Sequence, residues 1–328
     1  MKYLVTGGAG FIGSHLVEHL VERGDEVVVL DDFSTGKLDN LSGVDKRIAI
    51  IHGTITDLEV CHVAMRGVDF VLHHAAIASV AQSVDDPLAS HAVNVTGTIN
   101  VLLAARDARV RRVVLAGSTA VYGDAAELPN HEDLLPRPIS PYAVGKLAAE
   151  EYCKAFYATY GLETVVLRYF NIFGPRQDPA SQYSAAIPKF IVAALAGEPA
   201  CIFGDGDQTR DFVFVANVVE ANMLACAAPA VQAAGRVFNV GTGQAVSVNE
   251  LWRCVQDATG ARLAATHADP RPGEIRHSYA AIDRARTGLG YAPTIDFAEG
   301  MRRTVHFYRR RRRSDRLPVM QAAPNPRP

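Results

Sequence analysis

The run "KYLVTGGAGFIGSHLVEHLVERGDEVVVLDD", residues 2–32, constrains the fold more than any other feature. "KYLVT" and "EVVVL" read as buried strands, and "FIGSHLVEHLVER" between them is an amphipathic helix with Gly24 as its stop. Strand, turn, helix and strand in about 30 residues make a βαβ unit with two parallel strands. The turn carries Gly7, Gly10 and Gly13. Glycines let the backbone approach a pyrophosphate, and the helix N-terminus that follows offers free N–H groups and a positive dipole end. Asp31 closes the second strand, where a carboxylate accepts bonds from an adenosine ribose. A carboxylate there repels a 2′-phosphate, which favours NAD over NADP, and Asp32 reinforces the preference.

The alternation continues. "DFVLHHAA", "RRVVLAGS" and "ETVVLRYFN" are near-continuously apolar, as buried parallel strands are. "PLASHAVNVTGTINVLLAARDA" and "YAVGKLAAEEYCKAFYATY" read as crossover helices. The fold class is therefore α/β, a doubly wound parallel (Rossmann) sheet with a second, smaller α/β domain. Residues 1–171 form the nucleotide-binding domain, with about 211–242 returning to it. Residues 172–328, punctuated by Pro and Gly and ending in a basic tail, form the substrate domain.

A net charge of −2 and 48% hydrophobic residues give no bias toward nucleic acid. No apolar run approaches the ~20 residues needed to span a bilayer. Met1-Lys2 leads straight into a strand, so no signal peptide is expected. The five cysteines form no CxxC pair, which argues against a disulfide framework or zinc and for a reducing, cytoplasmic setting. No metal is expected: His15 and His19 in "HLVEH" lack the HExxH order and read as a surface pair. His73-His74 either borders a cofactor or packs at a strand end. "RRRRR" at 309–313 follows an apparent final helix and reads as a solvated terminus.

"SPYAVGKLAAEEY" holds Tyr142 and Lys146 at i and i+4, on one helix face. A tyrosine base at neutral pH needs its pKa lowered by about 3, or ~4 kcal/mol. One ammonium about 4 Å away at an effective dielectric near 20 supplies ~4 kcal/mol. Tyr142 is thus the candidate general base and Lys146 its activator. Ser118, at the end of the "RRVVLAGS" strand, lies where sheet-edge residues reach a ligand in this architecture.

Gly7, Gly10 and Gly13, "NVTGT" at 94–98, "GSTAVYGD" at 117–124 and Tyr142-x-x-x-Lys146 together resemble the extended short-chain dehydrogenase/reductase family. Within it the chain is similar to the nucleotide-sugar 4-epimerases acting on UDP-galactose and UDP-N-acetylglucosamine. That resemblance implies a tightly held NAD and 4-epimerisation of a UDP-sugar through a transient 4-keto intermediate. It implies cofactor contacts from Phe11, Ile12, Ser34, Thr35, Gly36, Thr54, Ile55, Ala75, Ala76, Ile77, Asn94 and Tyr169, besides the glycines, Asp31, Asp32, Tyr142 and Lys146. It places Ala78, Ser118, Thr119, Asn171, Ile187, Ile202, Phe203, Arg210, Arg271, Glu274 and Ser278 around the substrate. It also implies a homodimer built on a four-helix bundle of the helices near 88–107 and 142–160. The small Ser278, where members restricted to plain hexoses have tyrosine, implies room for an N-acetyl group.

Two positions depart from the family. Thr54 stands where an adenine-contacting Asp is usual, and Ala78 where the UDP-galactose branch has a lysine. Three rivals are weighed. A 4,6-dehydratase needs an Asp-Glu pair where this chain has Thr119-Ala120. A UDP-glucuronate epimerase or decarboxylase usually has Thr at Asn171 and Arg at Asp178. A non-catalytic NAD-sensing regulator typically lacks the Tyr/Lys pair that is present here.

Overall fold

The computed structural model describes residues 1–125, 127–179, 186–270 and 275–313. Seven strands form the main sheet: β1 (Lys2–Thr6), β2 (Glu26–Asp31), β3 (Ala49–His52), β4 (Phe70–His73), β5 (Arg112–Ser118), β6 (Glu163–Tyr169) and β7 (Arg236–Val240). Their order is β7-β6-β5-β4-β1-β2-β3 and every pairing is parallel. The order reverses between β1 and β4, the crevice where open α/β sheets bind ligands at the carboxyl ends of their strands. One face carries the helices Phe11–Glu22 and Val215–Ala227 over a core that includes Val5, Leu16, Val29, Val218 and Phe238. The other carries Leu58–Ala64, Thr98–Asp107 and Pro141–Tyr160 over Leu4, Val71, Leu102, Val113 and Phe156. This is the doubly wound sheet that the strand–helix alternation predicts.

The run "ETVVLRYFN" is not one strand. It ends in the sheet at Tyr169, and Asn171–Phe173 turns away to pair in parallel with Phe212–Phe214. From there a smaller unit gathers around Phe173, Ile187, Phe190, Ile202, Trp252 and Met301. Its strands are short: Val246–Ser247, Thr209–Arg210 and His277–Ser278 form one sheet, Thr266–Ala268 and Cys201–Phe203 another. The Arg236–Val240 strand, late in sequence, sits at the edge of the main sheet beside β6.

Two expectations need correction. The arginine run does not follow the last helix: Phe297–Arg313 is one helix containing it. Arginine is a good helix former and its charge complements the negative C-terminal dipole end. In addition, Pro87–Asp107 forms one continuous 21-residue helical segment, by length and composition apolar enough to cross a bilayer. More than half of that window is buried in the fold, because the segment packs on the sheet. Its middle, Ala92–Gly97, is wound as a π-helix.

Candidate active site

The turn after β1 shows why its residues are glycines. Gly7 sits at φ +68°, and a Cβ there would lie 2.7 Å from the Ala75 nitrogen, the start of the loop after β4. A Cβ on Gly13 would meet the Gly7 carbonyl at 2.1 Å. The Phe11–Glu22 helix starts at Gly10 with no side-chain cap and no acid in its first turn, so its leading N–H groups point to an anion. Asp31 is buried and accepts from the Ala9 nitrogen (2.9 Å, Oδ2) and the Phe33 nitrogen (2.8 Å, Oδ1). Burial pushes its carboxyl up from the ordinary value, the two amides opposing this. Asp32 is exposed and accepts from the Ser34 backbone and hydroxyl (2.9 and 2.6 Å). A backbone cradle, an open helix end and a carboxylate at the next strand's end fit a dinucleotide, whose pyrophosphate Gly7–Gly13 would hold and whose ribose Asp31 would bind.

The loop after β4 forms the facing wall. Asn94, in the π-helical turn and 2% exposed, accepts from the Ile77 nitrogen (2.9 Å) and donates to the Ile77 carbonyl (3.0 Å). It therefore fixes Ile77 through its backbone, while Thr6 Oγ1 accepts from the Ala75 nitrogen (3.2 Å); π-turns recur at such sites. His73 resolves toward packing: it is 1% exposed, with Nδ1 2.7 Å from Thr6 Oγ1 and Nε2 3.0 Å from Thr98 Oγ1. Thr98 gives its proton to the Asn94 carbonyl (2.8 Å), so it accepts from His73 Nε2–H, and Thr6 donates to Nδ1. Burial pushes His73 down to about 3, keeping it neutral and this chain of bonds intact. His74 stacks on Tyr169 at 5.9 Å and bonds its hydroxyl at 3.0 Å.

Tyr142 and Lys146 lie in the first turns of Pro141–Tyr160. That helix is set by the Ser140 cap (Oγ accepting from Ala143 N, 3.2 Å), Pro141 in its first turn and Gly161 at φ +71° after its end. Buried Ser83 accepts from the Tyr142 nitrogen at 3.0 Å and pins the helix start. Lys146 is 7% exposed; its Nζ donates to the Ala116 carbonyl at 3.0 Å and stands 5.9 Å from the Tyr142 ring centroid. Burial lowers its pKa to about 8. Ser118, the last residue of β5, lies beside the Tyr142 phenol, close enough to oppose the rise in its pKa. It also caps the next turn, Thr119–Tyr122, by accepting from the Ala120 nitrogen (3.1 Å).

The expected electrostatics change accordingly. Burial raises the Tyr142 pKa in this structure, and the neighbouring Ser118 hydroxyl only partly opposes it. The Lys146 ammonium stands 5.9 Å from the Tyr142 ring centroid and does not offset the burial of the phenol.

Among the other sequence-derived residues, Asn171 begins the strand paired with Phe212–Phe214, and its nitrogen donates to the Asp211 carbonyl (2.9 Å). Ser278 pairs in register with Arg210, which donates to its neighbour's carbonyl, Thr209 O, at 2.8 Å. Ser278 is 8% exposed, with Oγ 3.4 Å from Asn130 Oδ1. Phe11, Ile12, Ala75, Ala76, Ile77 and Thr119 border the carboxyl edge of the sheet, half-buried; Ala78, Thr35 and Ser34 are exposed there, and Gly36 is buried against Asp31. Thr54 accepts from the Thr56 nitrogen (3.2 Å). Ile55, Ile187 and Ile202 are core residues, at most 3% exposed, so their side chains face packing and only their backbones remain for a ligand. Phe203 is half-buried at the end of its strand. Arg271 and Glu274 lie outside the described residues. Asp178 pairs with Lys37 at 2.5 Å. No group of three or more potential metal ligands occurs among the described residues.

Sequence reasoning missed Ser83, Thr6 and Asp211, which carry no motif, and gave no role to Thr98, the last residue of "NVTGT". Asp211 is fully buried and accepts from Thr242 (nitrogen 2.8 Å, hydroxyl 2.6 Å), Gly243 N (2.9 Å) and Ala280 N (3.2 Å). It thereby ties the Arg210 strand to the segment that follows Ser278.

Residues 3–241 match the model of the NAD dependent epimerase/dehydratase family. The chain belongs to that family. Its members' cofactor is NAD, in agreement with the cradle and Asp31. The UDP-glucose 4-epimerase of Mycolicibacterium smegmatis is 41% identical over 94% of this chain and 99% of its own. The Thermus thermophilus UDP-glucose 4-epimerase, solved in complex with NAD, superposes with TM-score 0.86 at 39% identity, covering 94% of this chain and 99% of that one. A UDP-N-acetylglucosamine 4-epimerase from Methanobrevibacter ruminantium, solved with UDP-N-acetylmuramic acid, gives 0.90 at 37%, covering 94% and 98%.

Proposed function

We propose that this epimerase/dehydratase-family chain interconverts UDP-sugars at C4: UDP-N-acetylglucosamine with UDP-N-acetylgalactosamine, and UDP-glucose with UDP-galactose. The observation that carries the reading is the meeting of Ser118, Tyr142 and Lys146 at the carboxyl edge of β5, on the same sheet edge as the Gly7–Gly13 turn. NAD, when bound, supplies a reversible acceptor for the C4 hydride. Tyr142 takes the proton of the 4-hydroxyl, and Ser118, beside the phenol, holds that hydroxyl in line. Lys146, its Nζ over the Tyr142 ring, stabilises the phenolate, its charge sustained up to about pH 8. When the ketone has turned over in the site, Tyr142 returns the proton as the hydride comes back to the other face.

Thr119-Ala120 offers no carboxyl pair to eliminate water, which disfavours a dehydratase. Asp178 is an acid tied to Lys37, which disfavours a uronate substrate. Arg210, Arg271 and Glu274 are assigned to the diphosphate and uridine, Asn171 to the diphosphate, and Ser278 to the sugar wall. Residues 1–171 with 211–242 serve the nucleotide cofactor and the rest the UDP-sugar. Exposed Val84, Leu88, Val144 and Tyr152 on the Val80–Asp85, Pro87–His91 and Pro141–Tyr160 helices support a homodimer through that face in a cytoplasmic enzyme. Incubating the purified protein with UDP-N-acetylglucosamine and reading the C4 configuration by NMR tests the reading. Appearance of the galacto epimer is expected; unchanged substrate with NAD present overturns it.

A further inference from the structure

The chemistry above leaves the basic C-terminal helix without a role. Phe297–Arg313 carries seven arginines against one glutamate, a net +6, in a chain whose total is −2; the remainder therefore carries −8. The helix is docked. Met301, Thr304, Val305 and Tyr308 are buried in the core of the smaller unit, Arg309 donates to the Thr259 carbonyl at 2.5 Å, and Arg312 donates to the Leu195 carbonyl. Its cationic face is consequently held in place.

Beside that face lies a cleft of about 620 Å³, between the helix, the turn at 39–40 and the turn at 175–176. Arg176, Arg303, Arg310, Arg311 and His306 line it, with Asp39 as the one carboxylate of the lining. Arg176 reaches it from a left-handed backbone conformation, φ +68°, unusual for a side chain of this size. His15 holds this turn through the Pro175 carbonyl (3.0 Å), and Glu18 takes Arg176 Nη2 at 2.5 Å. Nη1 of the same guanidinium is buried with no partner among the described residues. A buried charged donor left unpaired is expensive and points to a missing acceptor. None of these residues belongs to the catalytic or cofactor site assigned above.

We propose that this cleft is a binding site for a phosphate-bearing polyanion. Guanidinium forks match phosphate oxygens in pairs, and the volume accommodates an oligophosphate. Two sources share that chemistry: a soluble oligophosphate and an anionic phospholipid headgroup. The test uses protein holding NAD and saturated with UDP-sugar, so that the pyrophosphate positions of the active site are filled. Inorganic tripolyphosphate is titrated in by calorimetry, and a parallel sample is sedimented with phosphatidylcholine vesicles with and without phosphatidylglycerol. Binding that weakens with salt is expected in one arm or the other, which identifies the source. In an Arg303→Gln/Arg310→Gln variant, whose substituted side chains are exposed, it should weaken by about tenfold or more. A remote Arg284→Gln control should leave it unchanged. Absence of binding in both arms, or equal binding by the double variant, overturns the proposal.

Discussion

Replacing Lys146 with methionine separates what this residue costs the fold from what it gives the chemistry. Burial brings its ammonium from the ordinary 10.5 of a lysine to about 8, equivalent to about 3 kcal/mol of destabilisation at neutral pH. Methionine keeps the length and removes the charge, but gives up the bond to the Ala116 carbonyl, worth about 1 kcal/mol. Nucleotide-free Lys146→Met should therefore be about 2 kcal/mol more stable than wild type at pH 7. The sign follows from linkage. Below about pH 8 both folded and unfolded wild-type chains hold the proton and the full penalty stands. Between about 8 and 10.5 the folded chain binds fewer protons, so wild-type stability rises and the variant's advantage shrinks. Urea unfolding of both proteins at pH 7 and pH 9.5 measures this, and turnover should fall by about 10²–10⁴-fold through loss of base activation. A variant less stable than wild type at pH 7, or an advantage equal at both pH values, refutes the reasoning.

Tyr142→Phe should keep the fold and bound NAD, read by circular dichroism and by nucleotide released on denaturation, while turnover drops about 10²–10⁴-fold. Ser278→Tyr should abolish UDP-N-acetylglucosamine turnover and spare UDP-glucose, in a direct comparison of initial rates. Gly7→Ala should lose NAD, because its Cβ would stand 2.7 Å from the Ala75 nitrogen at a positive φ; released nucleotide per chain reports it. Glu150→Ala leaves Arg168, 2% exposed, without the carboxylate that holds it at 2.9 and 2.7 Å, and should cost about 3–5 kcal/mol by denaturant unfolding.

What was legible in the sequence follows from the range over which its causes act. Gly13 is required by a contact inside one βαβ unit, the Gly7 carbonyl, so the spacing exposes the cradle, although the Ala75 backbone that crowds Gly7 arrives from beyond β4. Tyr142 and Lys146 share a helix face, which i, i+4 spacing reports directly. Glu150, one turn beyond Lys146, looks in "KLAAEE" like a solvated acid. It is 1% exposed because Arg168 arrives from β6, a partner that no local pattern announces. The wall built by Thr6, His73, Thr98 and Asn94 joins three separate segments, of which only "NVTGT" leaves a local trace. "ETVVLRYFN" hides its break at Phe170 because both halves are apolar; what separates them is pairing with Phe212–Phe214, some 40 residues later. The distance from ammonium to phenol, and hence the pKa balance of the pair, depends on rotamers that spacing does not encode.

The central claim is that the hydride leaving C4 returns to C4 of the same sugar while Tyr142 handles the proton. UDP-glucose deuterated at C4 tests it most directly. The account predicts UDP-galactose that keeps its deuterium at C4, by NMR and mass spectrometry, with none appearing in solvent. Product formed with deuterium washed out to water, or formed at an undiminished rate by Tyr142→Phe, would contradict it.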